Sequence, residues 1–278
     1  MFTRTEILTR MRAKVAQRRP IIGGGAGTGL SAKCSQEAGL DFIVIYNSGR
    51  YRMAGRSSMA GLMPYGDANA IVMEMGAEVL PVATQMPVVA GVCGTDPFRL
   101  MPRFLREVRD AGFSGVQNYP TVCLFDGIIR ANLEETGLGF DKEVDMIAEA
   151  HRLDLLTCSY VANLDEAAAM AEAGSDIVVP HMGLTTSGMI GAQTALTMAE
   201  SKIKVAELAA AARAKNPDVL IVCHGGPIYG PDEAAEVIAE VPGVHGFLGA
   251  SSMERLPTEV AMVAHMSRYT QIELPVTA

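Results

Sequence analysis

Eight short runs of β-branched and apolar residues alternate with helical segments along almost the whole chain, and this repeat restricts the fold more than any single motif. The runs are PIIGG (20–24), FIVIYNS (42–48), PVVAGVC (87–93), SGVQNYP (114–120), LLTCSYV (155–161), IVVPHM (177–182), LIVCHGG (220–226) and VHGFLGA (244–250). They lack clean apolar/polar alternation, which suits strands covered on both faces, as in a parallel sheet. The connectors read as helices. Gly39, Gly112 and Gly174 follow three of them, where a left-handed residue closes a helix. Asn163 with Glu166 reads as a capping pair, and Pro257 as a first-turn residue. Eight β/α repeats in 278 residues predict an α/β chain folded as a (β/α)8 TIM barrel.

A doubly wound open sheet is the alternative. It would carry a dinucleotide fingerprint after the first strand, yet GGGAGTG (23–29) does not align with G-x-G-x-x-G and no G-K-[ST] follows. In a barrel this stretch is the first βα loop. Its glycines either let the backbone approach a ligand or make a tight turn. One TIM-barrel domain is expected over 1–278, with an N-terminal helix in 1–19 and the barrel over 20–270. Thr3 and Glu6 form a capping box, and Ile7, Met11 and Val15 recur at helical spacing. The Arg-rich start also has a faint transit-peptide character, the weaker of the two readings.

A net charge of −8 argues against a nucleic-acid partner, because phosphate backbones reward clustered Lys and Arg. No apolar run reaches the length of a membrane span. Five scattered cysteines (Cys34, Cys93, Cys123, Cys158, Cys223) without a C-x-x-C pair indicate neither structural zinc nor a disulfide frame, and a cytoplasmic location is expected. The expected partner is a small anionic substrate, with the chain as a homo-oligomer.

Two connections are long: 47–67 after the second run and 118–141 after the fourth. Both would emerge at the C-terminal face, where barrel enzymes do their chemistry, and both are lid candidates. The 185–200 stretch is a third candidate, or else begins helix six. On that face, Gly225, Gly226, Gly249, Ala250, Ser251 and Ser252 offer an anion site built from the loops after strands seven and eight; ordinary tight turns are the alternative. Asn47, Arg50 and Arg52 come from the second loop, the arginines as a clamp for a carboxylate or phosphate or as solvated charges. His181 is the first choice for general acid/base, with Asp96, Asn118 and Tyr160 as supporting polar groups. His224, beside the anion loops, reads as a substrate- or phosphate-binding residue or as one that only orients backbone. Asp96 in CGTDP reads equally as the N-cap of helix three. All six lysines lie in helical segments or at helix ends, so imine chemistry is not expected. No tightly bound cofactor is expected either. With Asp96 as the one candidate acid, Mg²⁺ would have to be shared with the ligand itself.

The segments IIGGGAGTGLSAK, IYNSGRYRMAGRSSMAGLMPYGDAN, VVAGVCGTDPF and QNYPTVCLFDGIIRANLEETGLGF together resemble the phosphoenolpyruvate hydrolase-like family of TIM barrels, over about residues 4–272. The resemblance implies hydrolysis, or C–C or C–P bond cleavage, on a phosphoenolpyruvate- or phosphonopyruvate-like acid, as in a phosphonopyruvate hydrolase or a lyase. Metal-dependent phosphonopyruvate enzymes present several acids at strand ends, whereas Asp96 stands nearly alone here. The rival reading is a non-catalytic ligand-binding or partner domain, since members of the family can be fused to a second domain.

Overall fold

The computed structural model describes residues 2–275. All eight apolar runs form parallel strands: β1 (Ile21–Gly25), β2 (Phe42–Ile45), β3 (Val88–Val92), β4 (Gly115–Asn118), β5 (Leu156–Val161), β6 (Ile177–Pro180), β7 (Leu220–Cys223) and β8 (Gly246–Gly249). They pair in sequence order, and the barrel closes where Ile21 to Gly24 of β1 meet Gly246 to Gly249 of β8. Nearly every strand residue is buried, as unalternated apolar runs require. Gly39, Gly112 and Gly174 all have positive φ after their helices, so the glycine punctuation marks real helix ends.

The N-terminal helix Arg4–Ala16 carries the capping box between Thr3 and Glu6. It lies across the N-terminal end of the barrel. Arg4 donates to Asp176, which precedes β6, at 2.7 and 2.8 Å, and Lys14 to Asp41, which precedes β2, at 2.6 Å. That leaves the opposite end for the site.

The strand ladders stop earlier than the β-rich runs, at the residues whose side chains fill the mouth. Tyr46, Tyr119, His181, His224 and Ala250 all follow a strand's last residue. The two long connections have structure of their own. A helix, Asn47–Met53, starts one residue beyond β2 and is followed by a 3₁₀ segment, Ser58–Leu62; after β4 come a 3₁₀ turn, Val122–Leu124, and a helix, Gly127–Glu135. The 185–200 stretch is mostly loop: the next helix starts at Met198, capped by Thr197 with Glu200. After β3 the helix Met101–Asp110 has Leu100 as its N-cap, so the reading of Asp96 as that cap does not hold.

Candidate active site

At the C-terminal mouth three rings meet. Tyr160, on β5, has its centroid 4.8 Å from that of His181 and 4.9 Å from that of His224, and the two imidazoles are 4.6 Å apart. The parallel bridge between His181 and His224, just past β6 and β7, sets them side by side. Backbone partners fix opposite tautomers. His224 Nδ1 lies 2.6 Å from the Leu248 carbonyl, so it carries the proton, and its Nε2 lone pair accepts from the Tyr160 hydroxyl at 3.4 Å. His181 Nδ1 accepts the Gly183 N–H at 3.0 Å, which leaves the proton on Nε2. Burial pushes His224 down to about 4, and burial with the neighbouring His224 holds His181 well below the usual histidine range. Both rings are neutral at pH 7. Burial raises the Tyr160 phenol well above its usual value, so it too stays protonated.

Around this triad stand Tyr46, Tyr119, Ser48, Arg52, Ser58 and Ser251. Tyr46 and Tyr119 stack at 4.6 Å. Tyr46, Ser58 and Glu254 escaped the sequence reading: a tyrosine inside an apolar run looks like core, and the other two lie past the strand ends, within connections where no pattern singles them out. The enclosed space is only ≈ 30 Å³, room for roughly one water.

Arg52 is buried and joined to Glu254, Nε to Oε1 at 2.8 Å, with Nη2 on the same oxygen. Glu254 Oε2 accepts the Gly27 N–H at 2.7 Å. The β1 glycine loop therefore brings its backbone to an internal carboxylate. Arg52 is no free clamp for a ligand: only Nη1 turns toward Ser58, at 3.5 Å. Arg50 points away and pairs with Glu74 on the surface at 2.7 Å.

The expected anion cradle is also built differently. Gly226 donates its N–H to the Gly183 carbonyl at 2.8 Å, and a Cβ on Gly225 or Gly226 would run into the Gly183 or Met182 carbonyl. The HGGP turn locks the β7 loop onto the β6 loop, so the Gly226 amide is not available to a phosphate. After β8, Ala250 and Ser251 line the mouth while Gly249 and Ser252 do not. The last helix begins only at Arg255, with Glu254 in front of it. Placing alanine at Gly226, where φ is +59°, is expected to lower stability by about 1–3 kcal/mol in urea unfolding.

Asn118 faces outward beneath the site. Its Nδ2 donates to Glu143 at 2.6 Å and to the Tyr160 carbonyl at 3.1 Å, and its Oδ1 accepts the Tyr160 N–H at 2.7 Å. It positions Tyr160 and makes no contact with the mouth. Glu143 is fully buried, and burial pushes it up to about 7 against the donors Val122 N–H, Thr121 and Asn118. Because the folded form holds its proton more tightly than the unfolded one, this carboxyl's contribution to stability is lost as pH rises from about 4.5 to about 7. Glu143→Gln abolishes that titration. The Tm of E143Q relative to wild type should therefore move in the variant's favour between pH 5 and 7.5.

Asp96 faces a second cavity, together with Asn47. Its carboxylate accepts from Asn69 (2.9 Å), the Phe98 N–H (2.9 Å) and Arg99. Among the described residues no three His, Cys, Asp or Glu side chains stand together as metal ligands. Three donors already reach Asp96, so Mg²⁺ bound here would have to draw most of its ligands from the substrate. No described helix is long and apolar enough to cross a membrane.

The sequence model of the phosphoenolpyruvate hydrolase-like family matches residues 6–272. The ToMV susceptible protein tm-1(GCR26) and the ToMV resistance protein Tm-1(GCR237) of Solanum lycopersicum are each 58% identical over 271 residues, 98% of this chain. The match takes in 36% of their own length, so the chain spans about a third of these curated relatives. Among solved structures, 2,3-dimethylmalate lyase, a PEP mutase/isocitrate lyase superfamily member, superposes with a TM-score of 0.63 at 16% identity, covering 100% of this chain and 91% of that one. At that identity the likeness is one of fold.

Proposed function

The chain belongs to the phosphoenolpyruvate hydrolase-like family, and from that premise we propose that it is an enzyme that breaks the C3–C4 bond of a small 2-oxo acid. The observation that carries this reading is the Tyr160–His224–His181 triad, two neutral imidazoles of opposite tautomer on one phenol. His224 Nε2, acting through the Tyr160 hydroxyl, takes a proton from a hydroxyl on C4 of the substrate. The C3–C4 bond breaks, the deprotonated oxygen becomes the carbonyl of the departing fragment, and the bonding electrons form the C2–C3 enolate. His181 Nε2–H stabilises the enolate oxygen as a neutral donor without giving up its proton. The proton held by Tyr160 and His224 then returns to the enolate carbon, so the protein ends unchanged.

The substrate carboxylate is assigned to Arg52 Nη1, Ser58 and Ser251. Ser58 and Ser251 are 3.2 Å apart, and buried Ser48 Oγ has no partner. Arg52 is already paired with Glu254, so this end suits a singly charged carboxylate better than a doubly charged phosphate or phosphonate. The test is a panel of 2-oxo, phospho- and phosphono-acids, scored first by thermal shift and then by NMR for product. Binding without product would favour the rival reading, a ligand-binding domain. Absence of binding by every acid would remove the proposal.

A further inference from the structure

Beside the mouth lies a larger cavity of ≈ 630 Å³, between the loops after β2, β3 and β4. Its volume is within the range of about 300–1,000 Å³ typical of small-molecule sites. Leu62, Val122, Phe125, Ile129, Leu133 and Leu138 give it a mostly apolar wall. Its one arginine is already matched: Arg99 reaches Asp96 and, at 2.7 Å, Asp67. Arg99 thus serves two acids and the cavity keeps a net negative charge, whereas Arg52 at the mouth balances Glu254 alone, so an acid group is disfavoured in the larger cavity.

The two spaces share a wall and a roof. Consecutive residues Asn47 and Ser48 face one each, as do Pro120 and Tyr119. Ser58 and Met59 cover the mouth, while Gly61 to Met63 cover the larger cavity. Gly61 is the partition. A Cβ there would lie 2.6 Å from Ser48 Cβ, 2.9 Å from the Tyr119 hydroxyl and 3.1 Å from Asn47 Oδ1. Asn47 Nδ2 holds the Gly61 carbonyl at 2.9 Å, and the Tyr119 hydroxyl holds that of Ser58 at 3.1 Å. Behind the partition are two buried atoms with no hydrogen-bond partner, Asn47 Oδ1 and Ser48 Oγ. An unpaired buried polar atom is costly, so a consecutive pair across one thin wall points to a ligand that supplies the partners.

We infer that the two cavities are subsites of one cleft, and that the substrate is a 2-oxo acid with a bulky apolar substituent, which enters the larger cavity when the Ser58–Met63 segment lifts. This rests on the oxo-acid reading above. The acid end stays at the mouth, where the serines and Arg52 Nη1 lie. The substituent replaces water along the apolar wall, and a hydroxyl or N–H near its root would satisfy Asn47 Oδ1.

Pyruvate, 4-methyl-2-oxopentanoate and phenylpyruvate, titrated calorimetrically, separate the possibilities. The substituted acids should bind roughly 10–100-fold more tightly than pyruvate, the range set by burying added methylenes in an apolar pocket. Ala68→Phe projects a ring into the larger cavity from its rim and should shrink that ratio by about tenfold or more. If pyruvate binds as tightly as the substituted acids, or if the ratio survives in A68F, the two-subsite cleft is wrong while the mouth stands. If none of the three binds, the oxo-acid reading falls and takes this inference with it.

Discussion

Tyr160→Phe should lower kcat/KM for the 2-oxo acid by roughly 10²–10⁴-fold, the usual weight of a positioned acid/base group. The substrate's Kd should change far less. The phenol ring, which packs on both histidines, is retained; only the hydroxyl that reaches His224 Nε2 is removed. The pH profile provides an independent check. The base must be unprotonated, and burial sets His224 at about 4. The acid limb of kcat/KM should therefore fall with an apparent pKa near 4, well below that of an exposed histidine, and the rate should be flat across neutral pH. An acid limb near 6.5 would assign the proton transfer to some other, exposed group.

Arg52→Met should destabilise the chain by about 3–5 kcal/mol, because it strands Glu254 as a buried charge. At roughly 2–4 °C per kcal/mol for a chain of this size, Tm should drop by about 6–20 °C. Neutralising both partners, as in R52M/E254L, should recover most of that loss, since the isolated buried charge and not the missing attraction is the main cost. The Gly27 N–H would lose its acceptor, so recovery should stop short of wild type. Thermal denaturation of the two single variants and the double variant measures this directly. Equal losses in Arg52→Met and in the double variant would contradict the assignment.

The barrel was legible because its signal is repeated eight times and is backbone-based. Apolar runs, glycine stops and the Thr3 capping box each report local conformation, and here the tertiary structure agrees with them. Part of the candidate site was legible for a related reason. His181, Tyr160 and His224 sit at strand ends, and closing the barrel brings strand ends together. What failed was the reading of direction. Arg50 and Arg52 are two residues apart on a helix that starts sooner than the loop pattern suggested, so one turns to solvent and the other to the interior. Asn118 and Gln117 are neighbours on β4, but Asn118 faces the outer helices, where it meets Glu143. Glycine pairs were ambiguous at the outset. A missing side chain permits close approach, but the sequence does not say whether a ligand or another loop makes it. At HGGP it is the β6 loop, and at GGGAGTG it is Glu254, from 227 residues away.

The central claim is that the Tyr160–His224 pair moves a proton next to a substrate carbonyl, and hydrogen–deuterium exchange at C3 of a bound 2-oxo acid in D₂O tests it most directly. By ¹H NMR, the wild-type protein should exchange the C3 protons well above the uncatalysed rate, and Tyr160→Phe should not. Exchange at the same rate in both proteins, or no exchange by wild type with an acid shown to bind, would contradict the account.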